Sequence, residues 1–232
     1  MKNKTFIIIG GVVLVALLIV ATILPGKEKK EEKIKVDLLG INYEIEGNEA
    51  ELNFGETNPV VAMNIEKYGS VVIELYPSVA PNTVNNFISL VKSGFYDNNS
   101  FHRLMPGFVL QGGDPTGSGS GGPGYTIKGE FTNNGFTNDL KHDQWVVSMA
   151  RATEPDSAGS QFFICLDEAS NLDNNYAAFG KVIAGFDAIK AIEEKEVVAD
   201  QASGKLQKNL VLKKALVDLK GKEYPEVEKI SE

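Results

Sequence analysis

Apolar positions along the chain fall into three regimes. From Phe6 to Leu24 runs a block of 19 residues without a charge, interrupted only by Gly10, Gly11 and Thr22. About 20 apolar residues carry a helix across a bilayer, so the block predicts a membrane anchor over residues 1–26. A cleaved secretory signal is the alternative reading. Its apolar part usually spans about 7–15 residues and ends on a small-x-small site, a pattern the residues around Ala21 match poorly. Residues 27–35 mix Lys and Glu and predict a solvated linker. Residues 36–57 show no firm period and fit either a short strand pair or a loose stalk.

From Asn58 onward the apolar runs become short and are punctuated by Gly, Asn, Asp and Pro. Pro59–Ile65 and Ser70–Tyr76 predict two strands, turned at Gly69. Pro81 suits the first turn of a helix, Val84, Phe87, Leu90 and Val91 recur at helical spacing, and Gly94 supplies the stop. Further strands are predicted at Phe101–Leu104, Gly107–Leu110, Trp145–Met149, Gln161–Cys165, Ala177–Val182, Leu210–Lys213 and Ala215–Leu219. A second helix is predicted over Phe186–Glu196, with Ile189 and Ile192 on one face. Many short strands with two helices predict a mostly β domain, a closed antiparallel barrel capped by helices, over residues 58–221. Residues 222–232 are left as a C-terminal tail.

Charge narrows the function classes. The chain carries a formal charge of -8 and a pI near 5.0, which argues against nucleic acid as a partner, because neutralising phosphates requires clustered Lys and Arg. Setting Lys2 and Lys4 aside leaves 21 basic against 31 acidic residues, a formal -10 beyond the anchor. Lysines 27, 29, 30, 33 and 35 follow the span, which by the positive-inside rule favours a cytoplasmic domain. Long downstream domains translocate largely regardless of charge, however, and a very short N-terminal tail stays inside, so an external domain is expected. One cysteine excludes an intramolecular disulfide and a thiolate zinc cluster. Two histidines, His102 and His142, leave little room for an imidazole metal site.

The densest local signal is Phe101-His-Arg-Leu-Met-Pro-Gly-Phe-Val-Leu-Gln-Gly-Gly-Asp114. Arg103 and Gln111 stand in strands that otherwise carry large apolar groups. A bland explanation is a buried Arg paired with an acid such as Asp114 or Glu130. Ser160-Gln161-Phe162-Phe163-Ile164 has the same mixed character. Gly117-Ser-Gly-Ser-Gly-Gly122 matches the dinucleotide pattern G-x-G-x-x-G, but Pro123-Gly124 follows where a helix is required, so it reads as a loop. Ser148, His102 and Asp114 offer the residue types of a hydrolase triad without a nucleophile elbow. His142 beside Asp143 reads as a turn residue, and Cys165 as an inert core thiol.

These blocks together resemble the cyclophilin family of peptidyl-prolyl isomerases, particularly its bacterial members. The resemblance runs from about Asn58 to Lys220. Besides the Phe101–Asp114 run it takes in Gly122–Phe131, Ser148–Ala152, Ala158–Ile164 and Ala178–Val182, in the family's order. It implies an eight-stranded antiparallel barrel with two capping helices and a peptide groove on its outer face. Carried over by position, Arg103 resembles the catalytic arginine. Phe108, Val109, Phe163 and Leu172 resemble the proline pocket, although the family often has Met where Val109 stands. Gln111 and Gln161 resemble the residues that orient Arg103 and the peptide. Ala150, Arg151 and Ala152 resemble the edge that pairs with substrate backbone, while His102 and Tyr176 complete the substrate-binding set. Asn171 stands where cyclosporin-sensitive relatives carry Trp, and Tyr176 where many carry His, so weakened cyclosporin binding is expected.

The implied activity is acceleration of Xaa-Pro rotation in folding proteins, without cofactor or metal. The barrier, about 18–20 kcal/mol, arises from delocalisation of the prolyl nitrogen lone pair. A guanidinium aimed at that nitrogen favours the twisted state in which the lone pair is free. The partners implied are proline-containing polypeptides, with the membrane contacted only through the N-terminal helix. A rival reading of a different class is a membrane-tethered holdase that binds proline peptides with little turnover.

Overall fold

The structure is a computed structural model that describes residues 33–38, 41–46 and 57–230, with side chains described from residue 57 onward. The apolar block expected to form a membrane anchor lies outside the described residues. Among the described residues no helix is long and apolar enough to cross a membrane.

Strands β1 (Lys33–Leu38) and β2 (Ile41–Glu46) pair antiparallel. The strand-pair alternative therefore describes these residues, and β1 takes in Lys33–Lys35 from the stretch expected to be linker. Their sequences alternate apolar and polar positions with period two, the spacing of strand faces, although only over six residues each.

The chain then runs through β3 (Val60–Ile65), β4 (Gly69–Leu75), α1 (Pro81–Lys92), β5 (Asn99–Met105), β6 (Val109–Gly112), β7 (Val146–Met149) and β8 (Phe162–Cys165). It continues through β9 (Ala178–Ala184), α2 (Phe186–Lys195), β10 (Val198–Asp200) and β11 (Lys205–Asp218). The order β11-β3-β4-β9-β7-β8-β6-β5, closed by pairing of β5 with β11, makes a barrel of eight antiparallel strands. β10 adds to β11 outside the ring.

The two late strands expected from the sequence are one. β11 is continuous, but its register shifts between Lys205 and Leu210 against β5 and between Leu212 and Lys214 against β3. An extra residue in a strand throws its apolar alternation out of phase, so a bulged strand reads as two.

Alternation within strands fills the barrel. Val61, Met63 and Ile65 of β3, Val71, Ile73 and Leu75 of β4, and Phe162 and Ile164 of β8 all enter one core. Helix α1 closes one side with Val84, Phe87, Ile88 and Val91. The Phe87 ring lies 5.0–5.3 Å from those of Phe179, Tyr96 and Phe162. Its N-cap position is Ala80, which offers no side-chain acceptor. The buried Glu130 supplies one from a distant loop, accepting from the Asn82 N–H at 3.0 Å and the Thr83 N–H at 2.8 Å. The residues after 221 return across α1, where Asn82 and Glu228 exchange two hydrogen bonds and Ile230 bridges Thr126.

One glycine fixes the seam on which the site is built. Gly113 follows β6 with φ +88°, and a Cβ there would lie 2.4 Å from the Ser160 carbonyl oxygen. The Ser160 hydroxyl donates back to the Gly113 carbonyl at 2.7 Å. This close approach draws the end of β6 onto the start of β8 and sets Gln111 beside Gln161.

Candidate active site

Strand register assembles the outer face. Arg103 of β5 pairs with Gln111 of β6, Gln111 with Phe163 of β8, and Phe163 with Ser148 of β7. Residues directly opposite across antiparallel strands share a face, so a guanidinium, an amide, an aromatic ring and a hydroxyl form one row across four strands. One register step away, Val109 pairs with Cys165. Phe162 and Ile164 point into the barrel and Phe163 and Cys165 away from it, as strand alternation requires.

The row has a polar half and an apolar half. In the polar half, Arg103 Nη1 donates to Gln111 Oε1 at 3.1 Å, and Gln111 Nε2 donates to Gln161 Oε1 at 3.0 Å. Gln161 Nε2 then donates to the carbonyls of Gly119 and Gly121 at 3.0 and 2.9 Å. The guanidinium can only donate, so each amide in this chain has a forced orientation. Arg103 Nε donates to the Ser203 carbonyl at 2.8 Å, and Nη2 contacts the Met105 sulfur. No acid pairs with Arg103 among the described residues. Glu130 caps α1, and Asp114 is held by Thr116 and Gly119. Burial lowers the Arg103 pKa from the ordinary guanidinium value, and the group stays charged at physiological pH. Burial acts to raise the Asp114 pKa, but hydrogen bonds from Thr116, Gly121 and Gly119 hold it at about 2.

In the apolar half, Val109, Phe163, Cys165, Ala169 and Leu172 form a cluster separate from the barrel core, flanked by Met105, Phe108, Ala150 and Tyr176. Leu172 reaches it from a 3-10 turn, Ser170–Leu172, in the loop after β8. Tyr176 meets Phe163 edge-on at 5.7 Å and 83°. The result is an apolar concavity beside a charged planar donor, the arrangement needed to seat a small ring next to a polarisable bond.

Most of the expected residues meet here, and a few do not. Arg103, Gln111, Gln161, Phe108, Val109, Phe163, Leu172, Tyr176 and Ala150 are brought together. His102 is not in the apolar cluster. A register shift between Phe101 and Arg103 leaves its ring buried and facing Gly119, with Nδ1 unpartnered among the described residues. The Arg151 side chain turns to lie between the Phe131 and Tyr176 rings, 5.0 and 4.7 Å from their centroids, and donates to the Asn175 carbonyl. The edge at Ala150–Ala152 is partly engaged within the chain. The Ala150 N–H donates to the Gln161 carbonyl, the Ala152 N–H to Ser157 Oγ, and the Ala152 carbonyl accepts from Arg151. Asn171 is exposed on the turn next to Leu172.

Sequence reasoning placed His142 wrongly and missed Asp173. His142 is no turn residue: its ring is buried between Asp173 and Ser148. Cys165 is the buried, inert thiol expected, with its pKa raised to about 12, chiefly by burial, and it lies on the pocket side of β8. Asp173 was not singled out. The signal available was its place directly after Leu172, but its partner is 31 residues away in sequence. Ser148, His142 and Asp173 thus form the hydrogen-bonded chain of a hydrolase triad. Ser148 is fully buried beneath the site, so no substrate carbonyl reaches its hydroxyl.

The cyclophilin type peptidyl-prolyl cis-trans isomerase/CLD family model matches residues 60–217. Peptidyl-prolyl cis-trans isomerase B of Bacillus subtilis is 44% identical over 136 residues, covering 59% of this chain and 92% of that protein. A peptidyl-prolyl cis-trans isomerase of Helicobacter pylori is 40% identical over 132 residues, 56% of this chain and 78% of that one. Among solved structures, a cyclophilin type isomerase of Cryptosporidium parvum, crystallised in the presence of the dipeptide Ala-Pro, superposes with a TM-score of 0.60 at 34% identity. The match covers 68% of this chain and 98% of that one.

Proposed function

The chain belongs to the cyclophilin-type family and is a peptidyl-prolyl cis-trans isomerase, and on that premise we propose that Arg103 and the apolar cluster around Phe163 are its catalytic machinery. The observation that carries this reading is the cross-strand row, which sets an arginine that no acid pairs with among the described residues beside a pocket isolated from the core. The proline ring seats against Val109, Phe163 and Leu172. The peptide runs past Gln111 and Gln161, and Arg103 presents a donor to the prolyl nitrogen. Of the five N–H donors of an arginine, three are occupied by Ser203, Gln111 and Met105, which leaves two for substrate. The anchored guanidinium is preorganised, so its bond to the nitrogen strengthens as the amide twists and the lone pair localises. No covalent step is involved.

Titration of a Xaa-Pro peptide, paired with NMR exchange spectroscopy, tests the reading. Cis–trans exchange is expected to accelerate far above its uncatalysed time of about tens to hundreds of seconds. Binding without faster exchange identifies a holdase instead.

The segment 1–26 is proposed to hold this domain at a membrane, with the isomerase on the extracytoplasmic side. Its 19 uncharged residues and weak cleavage site support that placement. Protease added to intact cells is expected to digest the domain. Full protection until lysis reverses the orientation, and recovery of the domain in the medium identifies a cleaved signal.

A further inference from the structure

His142 has no part in the mechanism above, yet it is 1% exposed and holds together three elements that build the proline pocket. Its Nδ1 lies 3.0 Å from Asp173 Oδ1, and the same oxygen accepts the His142 backbone N–H at 2.9 Å. Its Nε2 lies 3.0 Å from Ser148 Oγ. Its ring stacks on Phe163 with centroids 6.0 Å apart and planes 21° apart, and Tyr176 meets it edge-on at 6.5 Å. The His142 carbonyl accepts from Ala169 N–H, at the start of the turn that delivers Leu172.

Hydrogen-bond chemistry fixes the state of this chain. An ionised Asp173 can only accept, so Nδ1 carries the proton. In a neutral ring Nε2 must then accept, and Ser148 donates to it. We propose that His142 is a positioning residue for the isomerase. Its neutral Nδ1–H form joins Asp173 to Ser148 and thereby fixes the Phe163 ring and the Leu172–Tyr176 loop in the geometry that receives proline. This rests on the assignment of the Phe163 cluster as the proline pocket.

Protonation reverses the bond to Ser148: Nε2–H then donates to Oγ, and the hydroxyl hydrogen must turn away from the ring in a buried site. Burial lowers the His142 pKa below the ordinary histidine value, with the Asp173 hydrogen bond acting in the opposite direction. The other titratable groups facing it are Asp173 and Tyr176 from the loop after β8, Lys141 and Asp143 on either side, and Cys165 on β8. Lys141 lies 3.4 Å from Asp173. Burial acts to raise the Asp173 pKa, but its bonds to His142 and Lys141 hold it below the usual carboxylate value, and the Cys165 thiol sits near 12.

The test follows imidazole nitrogen shifts and peptide exchange rates on the full chain in mild detergent as pH is lowered from 8. There are two histidines, so His142→Gln assigns the spectrum by loss of one set of signals. The expected result is an Nδ1–H tautomer at His142 and an acid loss of activity whose midpoint follows the His142 titration. In His142→Gln that pH dependence disappears. The Kd for an Ala-Pro peptide rises about three- to tenfold, the scale of one lost buried hydrogen bond, while kcat changes less. Ser148→Ala, a smaller change, is expected to weaken binding in the same direction. Activity that stays flat through the His142 titration overturns the proposal, whether or not the variants fold. A wild type that accelerates exchange at no pH overturns the isomerase site itself, a result separate from acceleration that ignores His142.

Discussion

Replacing Arg103 with alanine is expected to lower kcat by about two to three decades, the effect of removing one preorganised donor worth roughly 3–4 kcal/mol in the transition state. The fold should survive. Arg103 is only partly buried, and its partners are a backbone carbonyl, an amide and a thioether, so its loss leaves no buried charge unpaired. Peptide affinity should change little, because the interaction grows as the amide twists rather than on binding. Arg103→Lys is expected to recover little activity, since an ammonium cannot hold Ser203 and Gln111 with one planar fork while presenting further donors. Exchange rates and melting curves on the same samples decide the matter. Near-normal turnover in a folded Arg103→Ala would falsify the catalytic assignment, and a matched loss of melting temperature and activity would make Arg103 a structural residue.

The second large effect is expected in stability. Glu130→Ala removes the acceptor for two N–H groups at the start of α1, where the chain has no cap of its own. Hydrogen bonds to a charged group are worth about 1.5–3 kcal/mol, and the carboxylate also faces the positive end of the helix. A loss of about 2–3 kcal/mol corresponds to a fall in melting temperature of roughly 4–12 °C for a domain of this size. Glu130→Gln retains an acceptor without the charge and should fall between wild type and alanine. Glu130 lies outside the row of site residues, so kcat well below the melting temperature should be preserved. Thermal unfolding followed by circular dichroism measures this, and an unchanged melting temperature in Glu130→Ala shows that α1 is capped by other means.

Much of the site was legible because its residues lie in short local blocks. Arg103 and Gln111 stood out as polar side chains in apolar strands, and the resemblance supplied roles for them. The blocks could not reveal that Arg103 is anchored by the Ser203 carbonyl, 100 residues away. Nor could they show that Glu130, one of the two acids considered as a partner for Arg103, is committed to α1, 47 residues from Thr83. His102 illustrates the converse error. The family resemblance suggested a site residue, but a register shift of the kind no local pattern records turned it under the Gly119 loop.

The sequence by itself determined most of the elements. Period-two runs between Gly, Asn and Pro gave strands, 3.6-residue spacing after Pro81 gave α1, and the uncharged block from Phe6 to Leu24 separated the N-terminal segment from the domain. These are properties of neighbouring residues, set by backbone geometry and solvent preference within a few positions. Only the tertiary structure decided which apolar residues serve the core and which the pocket. Phe162 and Phe163 are adjacent and alike in composition, and both are buried, one by the barrel and the other by the loop that brings Leu172 and Tyr176 over β8. The same holds for His142, whose meaning lies in Asp173 and Ser148. Pairing register and loop closure placed those groups within hydrogen-bonding distance, and both depend on contacts distant along the chain.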